Sequence, residues 1–399
     1  MRRILLLSTS FTGGGAEYVA FQMFNSLANT IGVLFESNLG EIASSERLRV
    51  LRCVAGDNIL IKLLVNCYRF VSIQYYKIIV HPQFTISHLE GPNFLNLMTR
   101  FGGYRIIFVH NVVTYNYRER CFTNTIKKRL ISLLYYRADL VVAVSSEVLE
   151  DLVTEYNVPK DRISVLPNPI DSLSIQNKAL FGGSEVLDKL SSFEYIVCVA
   201  SLTKQKNHEL LLEIYRDIIE CYPSMKLVLV GDGPERSRIV ECCKKLGLEV
   251  GFITNGPSSL ECQVIVAGFQ ENPYPIIKHA KLFVLPSRWE GQPIAIMEAM
   301  CLGVPIVVSN SSPAILQLVY GDEFVPELEG AIKIDYGYLV VSANNSEKHE
   351  IVQGWSRSIA SLLDDKTQYN QVVSRCKQRA KDFDIGIVSE EWEKVMARF

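Results

Sequence analysis

The feature that most constrains the fold is a series of short apolar runs, rich in Val and Ile, that alternate with segments of helical periodicity. Because the runs do not alternate apolar with polar residues, they are typical of strands buried on both faces. Strands that alternate with helices predict an α/β fold with parallel sheets. The predicted strands span residues 4–7, 31–35, 77–80, 106–109, 140–144, 195–199, 226–230, 264–267, 282–285 and 305–308.

The runs fall into two series, which indicates two domains. A chain of 399 residues, 48% of them hydrophobic, exceeds the size of an ordinary single core. Pro167-Asn168-Pro169-Ile170-Asp171 and a polar stretch separate the series, as turns and linkers do. We therefore predict a first domain over residues 1–171, a linker over 172–192 and a second domain over 193–383. Ligands of such sheets bind beyond the carboxyl ends of the strands.

Composition excludes several classes of protein. A formal net charge of -2 and a pI near 6.4 give no indication of nucleic-acid binding. The ten cysteines contain no Cys-x-x-Cys pair, so reduced thiols are expected rather than disulfides or zinc. The apolar run at residues 4–7 is too short for a signal peptide, and no stretch is long enough to span a bilayer. These features predict a cytoplasmic protein.

A glycine loop, Gly13-Gly14-Gly15-Ala16-Glu17, follows the first predicted strand and opens a helix. Glycines and a helix N-terminus suit a phosphate, so Gly14 and Gly15 are candidate ligand-binding residues. A tight turn without a ligand is the alternative. Tyr18 stands where the dinucleotide fingerprint needs Gly, but Glu36 lies near the position of a ribose-binding acid. A nicotinamide-dependent oxidoreductase therefore remains open at this point.

Two loops of the second series carry weaker signals. Residues 201–207, Ser-Leu-Thr-Lys-Gln-Lys-Asn, follow a predicted strand, where a lysine can meet phosphate oxygens. A solvated basic turn explains the same residues equally well. Gly231-Asp232-Gly233-Pro234 follows the next strand, and Asp232 as a helix cap is the favoured interpretation.

The strongest signal lies in residues 286–306. Gly291-Gln292-Pro293 predicts a loop that enters a helix, whose free amides can hold an anion or sugar hydroxyls. Glu290 precedes the helix and Glu298 falls in its second turn, so the two carboxylates can accept hydrogen bonds from different parts of one ligand. An acid that complements the helix N-terminus would explain Glu298, but neither Glu290 nor the Gly-x-Pro between them.

Residues 267–308 resemble the donor site of family-four retaining glycosyltransferases with the GT-B fold. The resemblance rests on two glutamates separated by seven residues, here Glu290 and Glu298. Glu298 also begins the Glu-Ala-Met of the family, and Gly303–Ile306 matches its Gly-x-Pro-Ile. Residues 13–17, 167–171 and 231–234 are also similar to motifs of that family. The resemblance implies two Rossmann-like parallel-sheet domains that face each other across a cleft, with a last helix over 384–399 packed back on the first domain.

The resemblance also implies a role for each donor-site residue. Glu298 would hold the ribose hydroxyls, Glu290 the sugar hydroxyls near C3, and the backbone of Gly291, Gln292 and Pro293 the sugar and phosphate. Lys206 would neutralise the diphosphate, while Gly268 and Phe269 would line the base pocket.

The first domain would supply the acceptor side. His110 resembles the family's residue beside the anomeric carbon, although a lone histidine is as often structural. His88 and Glu90 follow the strand near residues 80–86 and are candidates for contact with the acceptor.

One position departs from the family pattern. Many relatives carry Arg where this chain has Ser201, so a two-pronged donor to the diphosphate is replaced by a single hydroxyl. A non-catalytic nucleotide-sugar-binding protein is therefore an alternative, as are an epimerase or a phosphorylase of the same fold.

The implied reaction moves a hexose or N-acetylhexosamine from a nucleoside-diphosphate sugar, most simply a UDP-sugar, to a hydroxyl of a glycan acceptor carried on a lipid. Configuration would be retained, with a donor phosphate oxygen taking the proton. No metal or other cofactor is expected, because Lys206 and helix amides can stabilise the leaving diphosphate. The only Asp-x-Asp, Asp382-Phe383-Asp384, lies in a basic tail.

A basic and apolar segment suggests where the chain meets a membrane. Residues 118–137 mix Lys and Arg with apolar residues at helical spacing, as in helices that lie on anionic bilayers. An ordinary amphipathic helix packed on the sheet is the alternative. We expect peripheral contact with the cytoplasmic face of the inner membrane.

Overall fold

The computed structural model describes residues 3–36, 46–52, 58–118, 121–181, 185–321, 330–340 and 348–399. Within these ranges the chain forms two compact units. Met1–Pro169 and Ile385–Phe399 make the first unit, and Ile170–Asp384 makes the second.

The first unit contains a seven-stranded sheet in the order β3-β2-β1-β4-β5-β6-β7, and each neighbouring pair is parallel. Strand order runs outward from β1 on one side and from β4 on the other, so these two strands flank the point where the winding reverses. The strands are β1 (Ile4–Ser8), β2 (Thr30–Leu34), β3 (Leu48–Val50), β4 (Phe84–His88), β5 (Tyr104–Val109), β6 (Leu140–Ala143) and β7 (Ile163–Val165).

Helices connect these strands. They are α1 (Gly15–Ser26), α2 (Ile59–Val80), α3 (Glu90–Met98), α4 (Val113–Asn116), α5 (Phe122–Leu134) and α6 (Ser146–Tyr156). Apart from the step between β2 and β3, each connection between successive strands thus contains a helix, as crossovers between parallel strands usually do.

The second unit contains an eight-stranded sheet in the order β10-β11-β9-β8-β12-β13-β15-β14. All neighbours are parallel except the edge pair of β14 and β15. Here β8 and β12 flank the reversal of winding. The strands are β8 (Tyr195–Val199), β9 (Lys226–Val230), β10 (Val250–Phe252), β11 (Val264–Gly268), β12 (Leu282–Leu285), β13 (Ile306–Ser309), β14 (Ala331–Ile334) and β15 (Gly337–Val340).

The remaining helices belong to the second unit, except for the last. They are α7 (Ser172–Lys178), α8 (Glu185–Ser191), α9 (His208–Cys221), α10 (Arg236–Lys245), α11 (Tyr274–His279), α12 (Ile294–Cys301), α13 (Pro313–Tyr320), α14 (Lys348–Asp364), α15 (Lys366–Ala380) and α16 (Ile385–Met396). Helix α16 groups with the first unit, where Trp392 packs edge-on against Phe108 with ring centroids 6.5 Å apart.

Burial explains why the apolar runs do not alternate. Every side chain of β1, β9 and β12 is buried, because helices cover both faces of each sheet. Strands β8, β9 and β12 have the bounds that the sequence predicts. The other predicted strands differ by one or two residues at their ends, except for the strand predicted at residues 77–80.

That one prediction is wrong. Residues 77–80 are not a strand but the last turn of α2, a helix of 22 residues. The short run Lys-Ile-Ile-Val was too brief to show the helical period of the longer segment. The next strand of the sheet is β4, a few residues later, which pairs with β1 on the side opposite β2.

Residues 172–192, predicted to be a linker, contain α7 and α8 instead. Asp171 accepts a hydrogen bond from the Ser174 amide at 2.8 Å and so caps α7. Ile175 and Leu190 are buried in the second unit. These buried apolar residues anchor the two helices, whereas Leu173, Leu180 and Phe181 of the same stretch are exposed.

Candidate functional site

The strongest sequence motif lies where the winding of the second sheet reverses. The loops after β8 and β12 sit side by side there, since these strands are neighbours. Gln205 donates to the backbone oxygen of Trp289 at 2.8 Å, and the Arg288 amide donates to the backbone oxygen of Gln205, also at 2.8 Å. Such reversal points are where open α/β sheets bind ligands.

An ion pair joins the two loops. Lys206 Nζ lies 2.6 Å from Glu290 Oε1 and 2.9 Å from Oε2, and the Glu290 side chain is only 4% exposed. Ser287 Oγ donates to Oε1 at 2.5 Å, and Ser309 Oγ donates to the Ser287 backbone oxygen at 2.6 Å. A buried carboxylate is tolerated when a cation and hydrogen bonds satisfy it. The pair therefore fixes both charged groups in one place.

Glu298 lies in the second turn of α12 and is buried. Tyr274 Oη donates to its Oε1 at 3.0 Å. Burial raises the pKa of Glu298 to about 7, against the opposing effects of the Tyr274 hydrogen bond and the charge of Lys178. This carboxyl therefore changes its protonation state near neutral pH, and a ligand that donates hydrogen bonds would favour the ionised form.

Between the two glutamates, Gly291, Gln292 and Pro293 are buried and lead into α12, with Pro293 as the N-cap. The first amides of a helix point outward from its N-terminus without partners inside the helix. Glu290, these amides and Glu298 thus follow one another along the start of α12, at the edge of the sheet where Lys206 lies.

The loop of Gly231 and Gly233 is structural. A Cβ on Gly231 would lie 2.0 Å from the Ala200 backbone oxygen, and one on Gly233 would lie 2.5 Å from that of Leu202. Asp232 Oδ1 accepts from the Gly233 amide at 2.8 Å, whereas α10 begins after Glu235, so Asp232 caps the turn and not the helix. The glycines let two loops approach closely.

The remaining donor-side candidates line the same edge of the sheet. Ser201 follows β8 and is exposed. Gly268 ends β11 with a φ of 68°, and its backbone oxygen accepts from the Gly231 amide at 2.8 Å. Phe269, which follows, is 61% exposed. An exposed aromatic ring at this edge is available for stacking.

In the first unit the structure brings His88 and His110 together. His88 Nδ1 and His110 Nε2 are 3.0 Å apart, and both rings are buried. The His88 ring also stacks on Phe108 at 4.5 Å. Burial lowers the pKa of His88 well below its usual range and that of His110 to about 4, although a hydrogen bond with Asn168 acts in the opposite direction on His110. Both rings are therefore neutral at physiological pH.

Glu90 begins α3 and is half-buried. It hydrogen-bonds with Tyr117, which together with burial raises the pKa of Tyr117. Its charge also adds to burial in raising the pKa of Glu17. Three oxygen-bearing side chains thus lie close together in the first unit.

Gly14 and Gly15 stand at the start of α1, where Gly14 is the N-cap. A Cβ on Gly14 would lie 2.9 Å from Glu17 Oε2, so this loop presents a carboxyl as well as amides. Glu36, the candidate ribose acid, pairs instead with Arg69 at 3.1 Å. These contacts weaken the case for a dinucleotide on this loop.

Sequence patterns did not reveal three supporting residues. Ser287 and Gln205 adjoin motif residues, but nothing in their spacing marks a hydrogen bond to Glu290 or Trp289. Tyr274 lies 24 positions before Glu298, and only the fold brings the two together.

Among the described residues, no three His, Cys, Asp or Glu side chains cluster in a way that could hold a metal ion. None of the described helices is both long and apolar enough to cross a bilayer.

Comparisons with known proteins agree with this geometry. The family model described as Glycosyltransferase Family 4 matches residues 13–172, and that described as Glycosyl transferases group 1 matches residues 184–381. The N-acetylgalactosamine-N,N'-diacetylbacillosaminyl-diphospho-undecaprenol 4-alpha-N-acetylgalactosaminyltransferase of Campylobacter jejuni is 26% identical over 395 residues, which is 96% of each chain. The UDP-Gal:alpha-D-GlcNAc-diphosphoundecaprenol alpha-1,3-galactosyltransferase of Escherichia coli is 27% identical over 262 residues, 62% of each chain.

Solved structures share the fold over the whole length. HepE of Anabaena, solved in complex with UDP and glucose, aligns over 100% of both chains with a TM-score of 0.73 and 16% identity. The sucrose-phosphate synthase of Thermosynechococcus elongatus aligns with a TM-score of 0.70 and 14% identity, over 100% of this chain and 99% of the other. The two parallel-sheet units and the two family domains together make the chain a glycosyltransferase of the GT-B fold, in the family that combines a Family 4 domain with a group 1 domain.

Proposed function

We propose that the enzyme transfers a hexose or N-acetylhexosamine from a UDP-sugar to a hydroxyl of a lipid-linked glycan, with retention of anomeric configuration. The names of the Campylobacter and Escherichia relatives both specify a diphospho-undecaprenol acceptor. The name of the second specifies a UDP-linked donor. Two of the similar solved structures contain UDP or UDP-glucose.

The observation that carries the proposal is the cluster of Lys206, Glu290 and Ser287 beside the start of α12. It joins a fixed cation, a hydrogen-bond acceptor and helix amides at the reversal point of the second sheet. A nucleotide-sugar presents the complementary groups, which are diphosphate oxygens and paired hydroxyls.

We assign the two glutamates to different parts of the donor. Ionised Glu298 would accept hydrogen bonds from the ribose hydroxyls, and Glu290 from the sugar. Both Glu290 oxygens contact Lys206 in the structure. A bound diphosphate would share the ammonium group, which frees one carboxylate oxygen for the sugar while the pair stays in place.

Departure of the diphosphate is the step that most needs stabilisation. Lys206 and the α12 amides would stabilise the charge that develops on the leaving group, and they are already oriented before the reaction. Attack from the same face, with a donor phosphate oxygen accepting the acceptor's proton, would retain configuration without a protein base. Neutral His110 would then form hydrogen bonds on the acceptor side, and the fully buried His88 would position it from 3.0 Å away. Glu90 would be a further contact on that side.

A transfer assay tests the proposal. The purified enzyme is incubated with each member of a UDP-sugar panel and an undecaprenyl-diphosphate-linked glycan, and the product anomer is assigned by NMR. We expect transfer from one donor, with the anomeric configuration of that donor. An inverted product would contradict retention, and turnover with GDP-sugars alone would contradict the donor base.

A nucleotide-sugar-binding protein without activity is the second candidate. The exposed Ser201, where many relatives carry Arg, favours it, because a single hydroxyl offers fewer hydrogen bonds to a diphosphate. Donor binding in the absence of both transfer and donor hydrolysis would support this alternative.

A further inference from the structure

Helix α2 differs from an ordinary surface helix, because many of its apolar side chains face outward while charged side chains face inward. Two of its three charged side chains, Arg69 and Lys77, point into the protein. Arg69 pairs with Glu36 at 3.1 Å and lies over the Phe35 ring at 4.8 Å. Lys77 is fully buried, and its Nζ donates to the backbone oxygen and to Oδ1 of Asn96 at 3.0 and 2.9 Å. Surface helices normally bury the apolar stripe and expose the charges.

The outward face of α2 is apolar instead. Nine large hydrophobic side chains of this helix are between 46% and 71% exposed. Most recur at intervals of three or four residues, so they form one continuous stripe along the helix. The stripe consists of Leu60, Ile61, Leu63, Leu64, Tyr68, Val71, Tyr75, Ile78 and Ile79. An exposed apolar surface of this extent marks an interaction site.

The neighbouring helices extend this face. Helix α3 packs against both α2 and α5. The register of the sheet places Leu7, Ser87 and Ile107 on one face of it, and α2, α3 and α5 cover that face. Beside the stripe, Phe101 and Met98 are exposed at the end of α3, and α5 exposes its own apolar row of Phe122, Ile126 and Leu133.

The charge of this region is positive. From the start of α2 to the end of α5, residues 59–134, the sequence has ten Lys or Arg and two Asp or Glu. Of the ten, Arg69 and Lys77 point inward and Arg105 pairs with Asp139, so these three add little to the surface charge. Lys62, Arg100, Lys127 and Arg129 are exposed around the apolar stripe and row. Two copies that met through this face would bring like charges together, whereas anionic headgroups would neutralise them.

We propose that the outward face of α2 inserts into the headgroup and acyl boundary of an anionic bilayer, while α5 supplies basic contacts to the headgroups. A helix that lies in this plane buries its apolar face and keeps cations at the surface. Helix α5 thus provides the charge, and α2 provides the apolar area that the sequence motif alone did not reveal. The choice of a lipid as partner rests on the proposed lipid-linked acceptor.

Vesicle flotation tests the proposal. The full-length enzyme is mixed with vesicles of phosphatidylcholine alone or with phosphatidylglycerol added. We expect the wild type to float with the anionic vesicles, and Leu64→Glu combined with Val71→Glu to weaken partitioning by at least about tenfold, because two side chains leave the apolar phase. The matched control is Leu173→Glu in α7, since Leu173 is 69% exposed and Leu64 is 71% exposed. The control should float like the wild type.

Insertion is separated from charge-driven adsorption by fluorescence. Leu64→Trp should shift its emission to shorter wavelength when anionic vesicles are added, and Leu173→Trp should not. An unshifted Leu64→Trp, or a wild type that stays with the soluble fraction at low salt, would overturn the proposal. So would a dimer in light scattering that the α2 variant converts to a monomer, because the face would then join two copies.

UDP titration keeps this test independent of the proposed function. The α2 variant should bind UDP with the affinity of the wild type. Loss of flotation with intact UDP binding would show that the α2 substitutions impair membrane binding without damaging the donor site. Flotation without UDP binding in the wild type would contradict the proposed function but not the membrane surface.

Discussion

Among single residues, Glu298 is the group whose chemistry depends most on its surroundings. Its carboxyl is buried, and that burial raises its pKa to about 7. The protonated form can accept fewer hydrogen bonds from ribose hydroxyls than the ionised form. Donor binding should therefore be coupled to the loss of a proton from this side chain.

The first prediction follows from that coupling. Because only ionised Glu298 accepts from both hydroxyls, UDP affinity should increase about tenfold between pH 6 and pH 8, as expected for a group with a pKa near 7. The phosphate of UDP also titrates near pH 6. Glu298→Gln serves as the control, since the titration of UDP is common to both proteins. Calorimetric affinities whose ratio, wild type over Glu298→Gln, does not change with pH would contradict the assignment.

The pair of Lys206 and Glu290 yields the second prediction. Lys206→Met leaves the 4% exposed Glu290 carboxylate without its cation, which should lower the free energy of unfolding by about 3 kcal/mol. Adding Glu290→Gln should restore most of the loss, because no buried charge remains. Urea denaturation of the two single variants and the double variant measures the coupling. Additive effects would mean that the two groups do not interact as the distances indicate.

Among secondary-structure elements, the close packing of loops after β8 and β9 shapes the site. Gly231 has a φ of 136°, and a Cβ there would lie 2.0 Å from the Ala200 backbone oxygen. Such a contact leaves no room for any side chain.

The third prediction concerns this loop. Gly231→Ala should lower the free energy of unfolding by roughly 3 kcal/mol or more, since both the backbone and the neighbouring strand must shift. Gly247→Ala is the matched control: its φ is also positive, at 68°, but its Cβ would meet nothing within 4 Å. That variant should cost only about 1 kcal/mol. Equal melting temperatures for the two variants would disprove the packing argument.

Sequence patterns predicted the central strands because these are buried on both faces, as β8, β9 and β12 show. They missed the edge strands β3, β7, β10 and β14, and β15 beside β14, which are only three or four residues long. They also mistook the end of α2 for a strand. A short apolar run has no period of its own, and only its tertiary setting shows which structure it adopts.

Sequence patterns likewise revealed only some of the residues of the candidate site. Glu290 and Glu298 stood out through their residue type and spacing, whereas the role of Lys206 was implied only by the family resemblance. Ser287 and Tyr274, which hold those carboxyls, carry no such signal. Their roles follow from contacts between elements that are distant in sequence.

For the whole molecule, two similar units divide the work that the proposed function requires. The second unit contains the donor-side groups, and the first contains the His88 and His110 pair and the apolar face of α2. The donor-side groups and the two histidines lie at the carboxyl ends of parallel strands, where α/β sheets bind ligands. The apolar face lies on an outer helix.

The fourth prediction is that transfer needs no divalent metal. Lys206 already offers a fixed positive charge to the diphosphate, so the rate should be unchanged after dialysis against EDTA. A parallel reaction with added Mg²⁺ is the control. A rate that EDTA abolishes and Mg²⁺ or Mn²⁺ restores would show that Lys206 is not sufficient.

The most direct test of the donor site is steady-state kinetics with the UDP-sugar that the wild type uses, for Glu298→Ala and Glu290→Ala. Glu194→Ala, an exposed acid of the same unit, is the control. Glu298→Ala should mainly raise KM for the donor, because it removes the contact with the ribose. Glu290→Ala should mainly lower kcat, by about tenfold or more, because its contact lies at the reacting sugar. Wild-type values of kcat and KM in either variant would contradict the central claim that the two glutamates clamp the donor.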